Sequence, residues 1–163
     1  MGEFSDLNSG QMNWKPDSET WSIAQNIDHL IVINESYFPI FDALDQDTYP
    51  LPFIAKIGFM VTFFGNAILK SVQPDRKRKI KTFPIWEPST SEIQEGILSR
   101  FESHQVRLKK RMVDASHLVE KGVVISSPAN RNIVYKLGKA FEIIIAHEQR
   151  HFEQAREVLQ LME

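Results

Sequence analysis

Along the chain, apolar positions fall into three long stretches with a helical period and one shorter, denser one. The first long stretch opens at "WSIAQNIDHL". There Ser22, with Gln25 three residues on, makes a capping-box pattern and predicts a helix over about residues 20–45, closed by Pro50 and Pro52. Residues 53–71 are apolar and read as a second helix. Ser89, preceded by Pro88 and followed by Glu92, reads as a third start. From it Ile93, Ile97, Phe101, Leu108, Met112, Ala115 and Leu118 recur at spacings of three, four and seven, which predicts a helix over about 90–120 with Gly122 placed to end it. The last helix is predicted over 131–162, with Leu137, Phe141, Ile144, His151, Ala155, Val158 and Met162 as its buried stripe. Only "GVVISS", residues 122–127, looks strand-like, and a single short strand has nothing to pair with. Four helices with modest connections predict an all-α, four-helix bundle in one domain spanning 1–163, a fold that builds its sites from side chains on facing helices.

Composition narrows the partners. A formal charge of −2 gives no general attraction to nucleic acid or to an acidic membrane. The basic run "DRKRKIK" reads as a solvated loop. Residues 57–69 are apolar but interrupted by Gly58, Gly65 and Asn66, and fall short of the about 20 residues a membrane span needs. The start, "MGEFSDLNSG", lacks the pattern of a signal peptide, and Asp6 stands where myristoylation needs Ser or Thr. With no cysteine there are no disulfides, thiolate ligands or thiol nucleophile within the chain, which agrees with a cytoplasmic setting. Apolar helix faces left over from so small a bundle make a homodimer an expectation. Trp14, Trp21, Trp86 and the phenylalanines of residues 53–64 read as core rather than as cofactor contacts.

The candidate chemistry is in "AHEQRH", residues 146–151. His147 and His151 are one helical turn apart on one face, so both imidazoles can reach one ion, with metal–nitrogen bonds of about 2.0–2.1 Å. A third ligand has to come from another helix, and His29 lies in the first apolar helix. Three histidines in apolar stripes each need a polar partner, and one shared cation satisfies all three. His104, between Phe101 and Leu108, also falls in a core stripe and reads as a satisfied polar core residue; His117 lies off its stripe and reads as exposed.

The same string matches HExxH, in which Glu148 would be the general base of a zinc peptidase. That reading is weak: no further histidine follows His151, and no sheet edge is predicted to hold a peptide. Glu148 is read instead as a carboxylate supporting the ligands or as a salt-bridge partner on the helix flank.

With its motifs placed, the chain resembles the DinB-like superfamily, which includes the bacillithiol and mycothiol S-transferases. The resemblance runs through "NWKPDSETWSIAQNIDHL", "FPIWEPSTSEIQEGILSRFESHQVRLKKRM" and "KAFEIIIAHEQRHFEQAREVL". It implies a four-helix bundle in which His29, His147 and His151 hold a divalent metal. It further implies a metal-dependent transferase of the thiol S-transferase type, or a hydrolase, acting on a small molecule with water or an external thiol as nucleophile. Three imidazoles suit zinc or nickel, and iron as well. A metal-binding, stress-related bundle without catalysis is the alternative from another class. One departure is that only thirteen mostly polar residues precede Trp14, where the family has a fuller helix. Either that helix is short or missing, or residues 52–71 take its place.

Overall fold

In the computed structural model, which describes residues 2–75, 82–88 and 92–162, Ser22 starts the first long helix as its sequence pattern predicts. Its side chain accepts from the Gln25 backbone N–H (3.1 Å), and the Gln25 side chain accepts from the Ser22 N–H (3.1 Å). This helix, α2 (Ile23–Glu35), is preceded by a short α1 (Ser9–Asn13) and followed by α3 (Phe38–Asp45), α4 (Gly58–Val72), α5 (Ile97–Asp114) and α6 (Ser116–Glu120). A hairpin of β1 (Val124–Ser127) and β2 (Asn130–Lys136) then leads into the long α7 (Leu137–Met162). Helix α2 packs on both α5 and α7, and α4 packs on α7 and β2, so the four long helices form the expected bundle.

The boundaries differ from the expected ones for identifiable reasons. The span expected over 20–45 is two helices, because Pro39 cannot donate to the carbonyl four residues back and its ring would clash there. It falls instead in the first turn of α3, where no donor is needed. The helix expected over 90–120 begins only at Ile97, after the left-handed Gly96. Ile93 is taken out of helical pairing by Asn13, whose side chain donates to the Ile93 carbonyl (3.0 Å) and accepts from its N–H (2.8 Å). Ser89, the expected cap, lies outside the described residues. At the other end the Gly122 expectation holds: the helix is interrupted after Asp114, and α6 closes with Gly122 at φ 67°. There Gly122 N–H bonds Val119 O and Val123 N–H bonds Leu118 O, a Schellman closure.

The segment expected over 53–71 is a 3-10 turn, Phe53–Lys56, followed by α4. Its close approach to the hairpin and α7 is made at Gly65, where a Cβ would lie 2.9 Å from Lys139 Cγ and 3.1 Å from Tyr135 Cβ. Because Val61 and Gly65 are the buried face, the phenylalanines expected in the core turn outward: Phe53, Phe59 and Phe63 are exposed.

The largest correction is at the start of the last helix. Residues 130–136 are a strand, and β1 has a partner: Val124 pairs with Lys136, Ile125 with Tyr135 and Ser126 with Val134, antiparallel, with a register shift between Ser126 and Ser127. Ile133, Val134 and Tyr135 are strand-forming residues. Val134 and Tyr135 are buried once paired, which a helix from 131 would not achieve together with the stripe of α7. The N-terminal helix is short rather than missing. Phe4, in a 3-10 turn, and Met12, in α1, enter the core beside Ile27, Leu30, Phe101 and Val158. A second apolar cluster, with Phe41, Leu108, Ile125 and Leu137, lies between the hairpin and the helices. None of the described helices is long and apolar enough to cross a membrane.

Candidate metal centre

α2 and α7 pass each other in opposite directions. Asn26 meets His151 while Asn34, two turns further along α2, meets Glu148. That crossing places His29 against the His147 and His151 pair, and one ligand atom from each of the three rings lies within 4.8 Å of the others. Ring centroids are 4.6 Å apart for His29 and His151, 5.2 Å for His29 and His147, and 4.5 Å for His147 and His151.

Hydrogen bonds settle the tautomers of two of the rings. His29 Nδ1–H donates to the Trp86 carbonyl (2.6 Å), which can only accept. His151 Nδ1 faces Asn26 Oδ1 (2.8 Å), and that amide is oriented by its own nitrogen, which donates to the Ser22 carbonyl (2.9 Å). The Asn26 oxygen therefore accepts and His151 Nδ1 carries the proton. In both rings Nε2 is left with its lone pair. Burial pushes the pKa of all three rings down, His147 to about 3, and the neighbouring rings and the Arg150 guanidinium add to the fall for His147 and His151. The rings are thus neutral at pH 7, the form that binds a metal.

The three histidines form a group that could hold a cation, and the spacing of the His147 and His151 pair fits a divalent one. His147 Nε2 and His151 Nε2 are 3.1 Å apart. Two metal–imidazole bonds of about 2.0–2.1 Å at octahedral to tetrahedral angles put their nitrogens about 2.9–3.4 Å apart. The Nδ1 contacts of His29 and His151 are also those expected around metal-bound imidazoles, which donate their second N–H to a carbonyl or similar acceptor. Trp21 stacks on the His151 ring (5.7 Å, 16°) and tilts over His29 (4.9 Å). Trp21 and Trp86 are therefore walls of the site rather than plain core.

A family model for the DinB superfamily matches residues 2–155. The chain belongs to this superfamily. ATP synthase subunit b, chloroplastic, from Lotus japonicus is 27% identical over 117 residues, 70% of this chain and 61% of that protein, so the chain spans less than two thirds of its length. A likeness at that identity assigns no family. No solved structure matches the chain.

In this DinB protein the three histidines border a cavity of about 970 Å³ that follows α7 from Ile143 to Leu161. Glu148 is not among its lining residues. One carboxylate oxygen accepts from Asn34 Nδ2 (2.7 Å) on α2 and from Gln105 Nε2 (2.6 Å) on α5, so Glu148 ties three helices together, and it forms no salt bridge among the described residues. Burial raises its pKa. A peptidase base would have to face the substrate, and this carboxylate is engaged elsewhere. His104 is fully buried, as its stripe implies, and neither ring nitrogen has a hydrogen-bond partner among the described residues. His117 is exposed, with Nδ1 3.0 Å from the Asp114 carbonyl.

Asn26 and the Trp86 carbonyl were not apparent as parts of the site. Asn26 had a signal, since it lies one turn before His29 on the same face. The Trp86 carbonyl had none, because a backbone acceptor leaves no mark in side-chain pattern.

Proposed function

We propose that this DinB protein holds one divalent cation on His29, His147 and His151 and acts as a metal-dependent transferase or hydrolase of small molecules, with transfer to or from a low-molecular-weight thiol as the first reaction to test. The observation that carries this reading is the outward pinning of the His29 and His151 Nδ1 protons, which leaves unprotonated Nε2 atoms of buried rings converging with His147 beside a cavity. Three imidazoles suit zinc or nickel, and iron also. Such an ion supplies Lewis acidity and lowers the pKa of a coordinated water or thiol toward neutrality. The chain's own groups do the remainder. Asn26 and the Trp86 carbonyl hold the lone pairs in place, Trp21 shields the rings from water on one side, and the cavity admits the substrate. With no cysteine in the sequence, a thiol has to arrive as a substrate.

Metal analysis of the purified protein tests this. About one divalent ion per chain is expected, lost in His147→Ala, together with chelator-sensitive turnover. If the protein carries no stoichiometric metal as purified or after dialysis against zinc, and His147→Ala behaves like the parent, the reading is wrong. Glu148→Gln is expected to keep both metal and turnover; loss of turnover with metal retained would restore the peptidase reading.

A further inference from the structure

The cavity has two unlike halves. On one side of the histidines, toward the start of α2 and the end of α7, it is bordered by Lys15, Glu19, Gln25, Gln154 and Glu157. On the other side the walls are mostly apolar, with Ile33 of α2, Ile68 and Val72 of α4, Ile133 of β2, and Ile143 and Ile144 of α7, interrupted by Asn34, Ser71 and Ser127. This apolar arm ends at Tyr37 and Tyr135, whose hydroxyls are 2.9 Å apart and whose side chains are buried.

Two phenols joined by one hydrogen bond use one of their two protons. The Ser127 hydroxyl beside Tyr135 adds a third O–H, so three protons stand against the two hydrogen bonds that join these three hydroxyls. Burial pushes both phenols up, Tyr135 to about 12, so neither becomes a phenolate near neutral pH. The charged residues among those described around the cavity are Lys15, Glu19, Glu87, Arg150 and Glu157. Four of them lie at the polar half or beside Trp86. Arg150 donates to the Ser71 carbonyl (3.0 Å), which holds its guanidinium at the α4 wall of the cavity, next to Val72. The end of the apolar arm, at the two phenols, therefore offers a neutral donor, and none of the charged residues described around the cavity is bonded to either hydroxyl.

We propose that the apolar arm is a substrate subsite for a molecule with an aliphatic or aromatic body and an uncharged hydrogen-bond acceptor, such as a ketone, ester or amide carbonyl, at its far end, which the Tyr37 and Tyr135 pair holds. The inference rests on the histidine cavity being the substrate site, as the proposed function has it. From His147 to Ile143 the helix rises about 6 Å, with the phenols beyond, which suits a body of roughly five to eight carbons.

Trp21 and Trp86 line the cavity, so their fluorescence reports binding without turnover. We would titrate 2-octanone, octane, octanoate and octylamine into the full chain, once with a chelator and once with zinc. In the chelator arm 2-octanone is expected to bind about 3- to 10-fold more tightly than octane, the net worth of one neutral hydrogen bond, and at least 10-fold more tightly than either charged probe. Tyr135→Phe and Tyr37→Phe together are expected to abolish the preference for the ketone while leaving octane binding unchanged; a merely distorted pocket would weaken both. Octanoate or octylamine binding as tightly as the ketone, or a ketone preference that survives both substitutions, overturns the subsite. No binding of octane or 2-octanone overturns it as well. Because the deciding arm contains no metal, failure of the metal reading leaves these outcomes intact and shows separately as zinc making no difference.

Discussion

His151 Nδ1 donates to Asn26 Oδ1 across 2.8 Å, and the Asn26 amide nitrogen donates in turn to the carbonyl of Ser22, the N-cap residue of α2. The orientation of one histidine thus descends from the start of a helix on the other side of the site. Asn26→Ala removes the acceptor that fixes the His151 tautomer and leaves a buried imidazole N–H unpaired. Zinc affinity, measured by competition with a chelator at pH 7, is expected to fall about 10- to 100-fold, with helix content unchanged. An affinity within twofold of the parent would show that the ring needs no such support.

Acid should unfold the metal-free chain early. His147, with a pKa near 3 in the fold against 6.5 when unfolded, binds its proton far more readily in the unfolded chain between those two values, so stability falls as pH drops through that window and loses nothing further below it. His29 and His151 shift in the same direction. Glu148 opposes them: its raised pKa lets the folded state take a proton more readily, a small gain on acidification. At about 1.4 kcal/mol per pKa unit, His147 alone accounts for roughly 5 kcal/mol, a large part of an ordinary stability of about 5–15 kcal/mol. Circular dichroism of the metal-free protein is expected to show unfolding between pH 6 and 4, with a lower midpoint in His147→Gln and after zinc addition. A midpoint below pH 3.5 in the parent would contradict this.

The three histidines were legible because a one-turn spacing and an apolar stripe are local properties, and His29 was the histidine of the other long apolar helix. The rest depended on contacts between distant segments. Ile93 fits the stripe of α5, yet Asn13, eighty residues earlier, pairs with its backbone and holds it outside the helix. Residues 131–136 carry enough apolar positions to pass for a helix start, and the turn at Ser127–Asn130 lacks the Asn-Gly type of signal that marks a two-residue hairpin. The phenylalanines of α4 turn outward because Gly65, a position with no side chain to mark it as buried, makes the close contact with Tyr135 and Lys139.

His104 is the polar group that the fold is expected to need least. It is fully buried, with the Phe38 ring stacked at 5.7 Å (11°) and Phe101 at 6.3 Å (22°), and both its nitrogens lack partners among the described residues. Burial lowers its pKa and keeps it neutral, so what the fold bears is the desolvation of two unmet polar atoms, about 1–3 kcal/mol. Leucine has a similar volume and no such atoms. His104→Leu gives up part of the ring stacking, worth about 0.5–1.5 kcal/mol for an aromatic pair. The net expectation is a gain of about 1 kcal/mol, or about 2–4 °C in the thermal midpoint for a chain of this size, with metal content unchanged. Calorimetry on the two proteins decides it. A fall of several degrees would mean that the imidazole is hydrogen-bonded after all, through a buried water, and that His104 is a satisfied core residue of the kind its sequence context suggests.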